Sequence, residues 1–118
     1  MHSFNWNKPT ALFVGRYQPF HAGHKALIIK GIDRVGQVCI AVRDTQGTSE
    51  KDPFDFETVK SFIDAEMSEY KEKYIVIQIP NITNIFYGRD VGYDIEQIQL
   101  EQELESISAT NIRKEMGL

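Results

Sequence analysis

Two histidines three residues apart, His21 and His24, stand in the stretch Gly15-Arg16-Tyr17-Gln18-Pro19-Phe20-His21-Ala22-Gly23-His24. At that step both side chains can face one side of a helix end. Each ring can donate a hydrogen bond to a phosphate oxygen, more strongly when protonated. Arg16 adds a forked, permanent cation, Gly15 closes the preceding apolar run, and Gly23 keeps the first helical turn free of bulk so that a phosphate can approach the backbone. A helix beginning near Ala22 presents unpaired N–H groups and the positive end of its dipole, which together make an anion site. The reaction such a site serves is attack on an α-phosphate, helped by alignment and charge stabilisation and needing no protein nucleophile. The same histidines also read as a helix cap or as surface residues. A zinc site is the weaker alternative, because no third ligand lies in reach and His2 sits near the terminus.

A second group lies in Ile107-Ser108-Ala109-Thr110-Asn111-Ile112-Arg113-Lys114. Hydroxyls stand at the mouth of a short helix, with two cations in its first turns. Taken alone this is an N-cap with a solvated face. Cations at a helix N-terminus oppose the dipole, however, unless an anion lies between them. A triphosphate would remove that conflict.

The first stretch resembles the His-x-Gly-His signature of the nucleotidylyltransferase superfamily, in the form found in archaeal-type nicotinamide-mononucleotide adenylyltransferases. The second is similar to that superfamily's Ile-Ser-x-Thr-x-Ile-Arg motif, with Ser108, Thr110 and Arg113 on its defining positions. The resemblance implies transfer of NMP from an NTP to a phosphate-bearing acceptor such as nicotinamide mononucleotide, releasing pyrophosphate. His21 and His24 would stabilise charge around the α-phosphate, and Gly15, Arg16, Gly23, Ser108, Thr110 and Arg113 would hold the nucleotide. Gly88 falls where the family contacts nucleotide, and Asp90 where it contacts nucleotide or acceptor, although Arg89-Asp90 also reads as a turn pair. Lys25 is a further phosphate contact or a helix-surface lysine. Mg2+ would arrive with the NTP, bound mainly by phosphate oxygens, so no protein metal site is expected.

Asp52–Thr58 is similar to the opening of the second helix in glycerol-phosphate cytidylyltransferases, so CTP with a polyol phosphate competes with ATP and nicotinamide mononucleotide. Relatives usually carry an arginine early in that helix. Here Val59 stands in its place, beside Lys60, and Arg43 is either the substitute or a surface cation. A nucleotide-binding or sensing protein without turnover is the reading from another class.

The elements that must position these residues follow from periodicity. Thr10–Gly15, Val38–Val42 and Tyr74–Ile79 are short apolar runs rich in β-formers and predict buried strands. Helical spacing runs from about Ala22 to a stop at Gly36. A second helix starts at Asp52-Pro53 or Asp55, with Val59, Phe62, Ile63, Met67 and Tyr70 as its core stripe. Weaker strands are expected at Ile85–Gly88 and Ile95–Leu100, and a last helix at Asn111–Met116. The order predicts an α/β, Rossmann-like, mostly parallel sheet of about five strands with helices on both faces. Ligands of such sheets bind beyond the carboxyl ends of the strands. Pro80–Asn84 is only five residues, too short for a parallel crossover, which takes about a dozen. The helix that the family places there is therefore expected to be missing.

At 118 residues the chain fits one domain, 1–118, with an ordinary 42% hydrophobic and 25% charged content. A net charge of −4 argues against a general nucleic-acid binder. No apolar run approaches the ~20 residues of a membrane span and no signal peptide is evident, so the cytoplasm is expected. Cys39, the single cysteine, is expected to be a small buried hydrophobe. Open edges of so small a sheet suit a homodimer.

Overall fold

A computed structural model describes residues 4–50, 52–89 and 92–98. Strand β1 spans Ala11–Gly15, helix α1 Ala22–Val35, β2 Val38–Arg43, α2 Phe56–Glu66 and β3 Tyr74–Ile79. The three strands pair in parallel in the order β1-β2-β3, with Ala11 opposite Val38 and Val38 opposite Tyr74. Because side chains alternate along a strand, Val38, Ile40 and Val42 share one face of the sheet. All three are fully buried, in one cluster with Ile28 and Ile32 of α1 and Val59 and Ile63 of α2. Met67, just past α2, completes that cluster. Both helices therefore cover the same face, as right-handed crossovers between successive neighbours require. Within the described residues the expectation of helices on both faces is met on that face. The other carries Leu12 and Val14, which are 58% and 45% exposed.

Local chemistry explains where the helices start and stop. His21 caps α1 from an extended backbone, and Gly36 ends it with φ 109°, a left-handed conformation that glycine adopts without strain. Asp55 caps α2 by accepting from the Thr58 backbone N–H at 2.9 Å, which fixes the second helix start at the later of the two expected positions. Gly31 has no alternative: a Cβ there would lie 2.6 Å from the Phe13 ring. That missing side chain lets α1 settle onto β1, and so brings the start of α1 over the strand's carboxyl end.

The five-residue link after β3 behaves as its length requires. Residues 80–87 form neither helix nor strand, and Ile85–Gly88 does not make the strand expected of it. Ile85, Phe86 and Tyr87 are exposed. A parallel partner for β1 or β3 needs a crossover, and Pro80–Asn84 cannot supply one. Residues 92–98 are likewise outside regular structure, and Leu100 lies outside the described residues. An ion pair between Arg34 and Glu96, at 2.8 Å, fastens this segment to the last turn of α1.

Candidate active site

Both histidines sit where β1 hands over to α1. His21 is the N-cap and His24 the third residue of the helix, and the two rings stack with centroids 3.7 Å apart and an interplanar angle of 21°. Each ring is tied to backbone through its Nδ1 atom. The Gly23 N–H donates to His21 Nδ1 at 3.1 Å, and the His21 N–H donates to His24 Nδ1 at 3.2 Å. An Nδ1 that accepts cannot carry a proton, so this network assigns both imidazoles as neutral Nε2–H tautomers. The remaining polar atom of each ring is a donor.

Burial acts in the same direction. Desolvation, reinforced by the neighbouring His21, pushes His24 down to about 3, and desolvation lowers His21 as well. Two cationic rings stacked this closely would also repel. The expected strengthening by protonation is therefore absent from the free site: the pair is a neutral double donor. Aromatic neighbours complete the enclosure. Tyr17 meets His24 edge-on at 4.8 Å and Phe20 stacks on it at 5.7 Å, both of them buried.

The glycines take more specific roles than the sequence suggested. A Cβ on Gly15 would lie 3.0–3.3 Å from the Tyr17 ring, so its missing side chain is the seat of that ring. Tyr17 itself holds a left-handed backbone, φ 53°. Gly23 is buried and its N–H is committed to His21. Of the backbone donors at the start of α1, that one is already used.

Arg16 and Lys25 flank the pair in sequence. The Arg16 guanidinium meets the Asp52 carboxylate at 3.1 Å in an ion pair open to solvent on the arginine side, and Lys25 is half-buried in the first turn of α1. Arg43 ends β2, next to β1 in the sheet. Its Nε is buried with no hydrogen-bond partner, which is unusual for so polar a group. Gly88 is exposed, with open space around it, and no hydrogen bond or ion pair among the described residues joins it to the histidine loop. Asp90, Ser108, Thr110 and Arg113 lie outside the described residues, as does the expected last helix.

Three contributors were not identified as such from the sequence. Gln18, 3% exposed, hydrogen-bonds the backbone of Phe54. Asp52 pairs with Arg16, and Tyr17 walls His24. The signal for Gln18 was weak: one polar residue between Tyr17 and a proline, with nothing to show that it turns inward. Cys39, expected to be buried, is half-buried, and burial pushes its thiol up, away from thiolate reactivity. No helix among the described residues is long and apolar enough to cross a membrane.

Comparison with known proteins follows the same lines. The sequence profile of the cytidylyltransferase-like family matches residues 12–115. The nicotinamide-nucleotide adenylyltransferase of Thermococcus kodakarensis is 26% identical over 89% of this chain and 71% of that protein. A solved structure of a bifunctional NMN adenylyltransferase/ADP ribose pyrophosphatase from Francisella tularensis, complexed with AMP and a Mn ion, is similar over 63% of this chain. Its TM-score is 0.57 and its identity 27%. A second structure of the Francisella enzyme gives the same values. The chain spans 23% of the length of the Francisella protein. The shared architecture is the Rossmann-like parallel sheet with its helices.

Proposed function

The chain belongs to the cytidylyltransferase-like family of nucleotidyltransferases, and from that premise we propose that it transfers the adenylyl group of an ATP–divalent metal complex to nicotinamide mononucleotide. One observation carries the reading: a stacked imidazole pair at a helix start, with both Nδ1 atoms held by backbone N–H groups and both Nε2–H groups left as donors. An acceptor phosphate oxygen attacks the α-phosphorus, the bond to the bridging oxygen breaks, and pyrophosphate leaves with its electron pair. Donors fixed beforehand around the α-phosphate need no reorganisation as charge builds on its oxygens. A neutral donor suits this task, since it stabilises charge without giving up its proton.

Arg16 exchanges Asp52 for phosphate oxygens when the nucleotide enters, and Lys25 adds a cation nearby. Ser108, Thr110 and Arg113 hold the β- and γ-phosphates and Gly88 contacts the nucleotide, while Gly15 and Gly23 act indirectly, by seating the Tyr17 ring and by fixing His21 Nδ1. Arg43 takes the acceptor phosphate, a role supported by its unpartnered Nε at the carboxyl end of β2, and Asp90 contacts the acceptor. The metal, Mg2+ in this reading, comes as part of the substrate. In this reading its ligands are mainly phosphate oxygens.

A panel of ATP and CTP against nicotinamide mononucleotide and glycerol 3-phosphate, read by pyrophosphate release, tests the proposal. Release with ATP and nicotinamide mononucleotide is expected. Release only with CTP and the polyol phosphate would replace it with the cytidylyl reading. Nucleotide binding with no release from any pair would leave a sensor and refute transfer.

A further inference from the structure

The loop that carries the imidazoles is fastened to the leader of α2 by two links of different character. One is buried and neutral. Gln18 Nε2 donates to the Phe54 carbonyl at 2.8 Å, and the Phe54 N–H donates to Gln18 Oε1 at 2.9 Å, across 36 residues of sequence. The carboxamide thus meets a backbone N–H and C=O as another peptide group would, and both backbone groups are satisfied away from water. The other link is the Arg16–Asp52 ion pair, exposed on the arginine side, which a phosphate can displace at little cost.

We propose that Gln18 is a positioning residue: through Phe54 it holds the His21–His24 pair in register with the bound nucleotide, and so acts on the chemical step. The chain between Gln18 and His21 offers little slack. Tyr17 and Phe20 are buried, and both pack against the His24 ring. A shift at Gln18 therefore reaches His24 through its own aromatic neighbours. Phe54 in turn packs edge-on against Phe62 of α2 at 5.2 Å, and the next residue, Asp55, caps that helix. The histidine loop thus takes its position from α2 as well as from β1 and α1. Because Arg16 exchanges partners during the cycle and Gln18 does not, the neutral link keeps the loop in place when the ionic one opens. The inference rests on the transfer reading for its effect on rate, but the clamp can be read without turnover.

The test compares the wild type with Gln18→Met, which keeps the volume and removes the amide, and Gln18→Glu, which retains the acceptor for the Phe54 N–H. MgATP and nicotinamide mononucleotide are the substrates, and assays run below each variant's melting temperature. For Gln18→Met, kcat is expected to fall ~10- to 100-fold, as misplacement by about 1 Å commonly costs. KM for ATP should stay within about two-fold of wild type, the mark of an interaction felt in the transition state. The His24 ring, followed by 1H–15N imidazole spectra, should titrate measurably closer to an ordinary histidine. Gln18→Glu should fall between the two, and it decides the matter if the methionine variant does not fold. Wild-type kcat together with an unmoved His24 titration would overturn the proposal, as would a loss confined to KM. Failure of the wild type to release pyrophosphate would refute the transfer reading instead. The imidazole titration then judges the clamp alone, and an unmoved ring would refute that too.

Discussion

Acid should destabilise this protein through His24 in a way that a single substitution abolishes. The ring titrates near 6.5 in an unfolded chain, but in the fold burial and the adjacent His21 push it down to about 3. Above about pH 6.5 both states hold it neutral and no dependence arises. Below that value the unfolded chain takes up a proton that the folded chain refuses, so stability falls as pH falls, by about 1.4 kcal/mol per pH unit once the unfolded ring is fully titrated. Between pH 6.5 and 5 the loss approaches ~2 kcal/mol on that slope. His21, lowered by its own burial, acts with the same sign. The informative perturbation is His24→Asn, whose Oδ1 stands where Nδ1 stood and can still accept from the His21 N–H, while nothing titrates. Urea unfolding of both proteins from pH 7.5 to 5, without nucleotide, gives two curves of stability against pH. Subtracting them removes the carboxylates common to both. The wild-type curve should drop more steeply below about 6.5. Parallel curves would mean that His24 is not held as a buried neutral acceptor, and the donor pair would lose its basis.

Turnover should fall by ~100-fold or more in His24→Ala, by analogy with the loss of one donor to a developing oxyanion, and a pyrophosphate-release assay checks it. Gly31→Ala should destabilise by ~1–3 kcal/mol in thermal or urea unfolding, because its Cβ meets the Phe13 ring at 2.6 Å and something must shift. Arg43→Met should raise KM for the acceptor while leaving KM for ATP near wild type. It should not lower stability, since it removes a buried donor that has no partner.

Much of this arrangement was legible in the sequence because the first half of the chain is governed by local rules. Short continuous apolar runs of β-formers placed β1, β2 and β3 to within a residue. Gly36 marked the end of α1, and the stripe through Val59, Ile63 and Met67 oriented α2. The length of Pro80–Asn84 announced that no helical crossover fits between β3 and Ile85. Tertiary facts were not legible. Gly15 reads as the end of a strand and a nucleotide contact, and nothing in the sequence shows that its missing side chain seats the Tyr17 ring. Gly23 looks like a free backbone donor until His21 takes it. Gln18 and Phe54 are 36 residues apart, and no periodicity links a glutamine to a distant peptide group. Protonation went the same way: the sequence leaves the charge of the two imidazoles open, whereas the hydrogen bonds to Nδ1 and burial make them neutral. Ile85–Gly88 carries β-forming residues, but propensity does not make a strand where the chain cannot reach a partner.

A crystal structure with a non-hydrolysable ATP analogue and Mg2+ tests the central claim most directly. Both Nε2 atoms should lie ~2.7–3.2 Å from oxygens around the α-phosphate, with the Arg113 guanidinium on the same triphosphate and Arg16 released from Asp52. A triphosphate seated away from the His21–His24 pair, or one held there without Arg113, would contradict it.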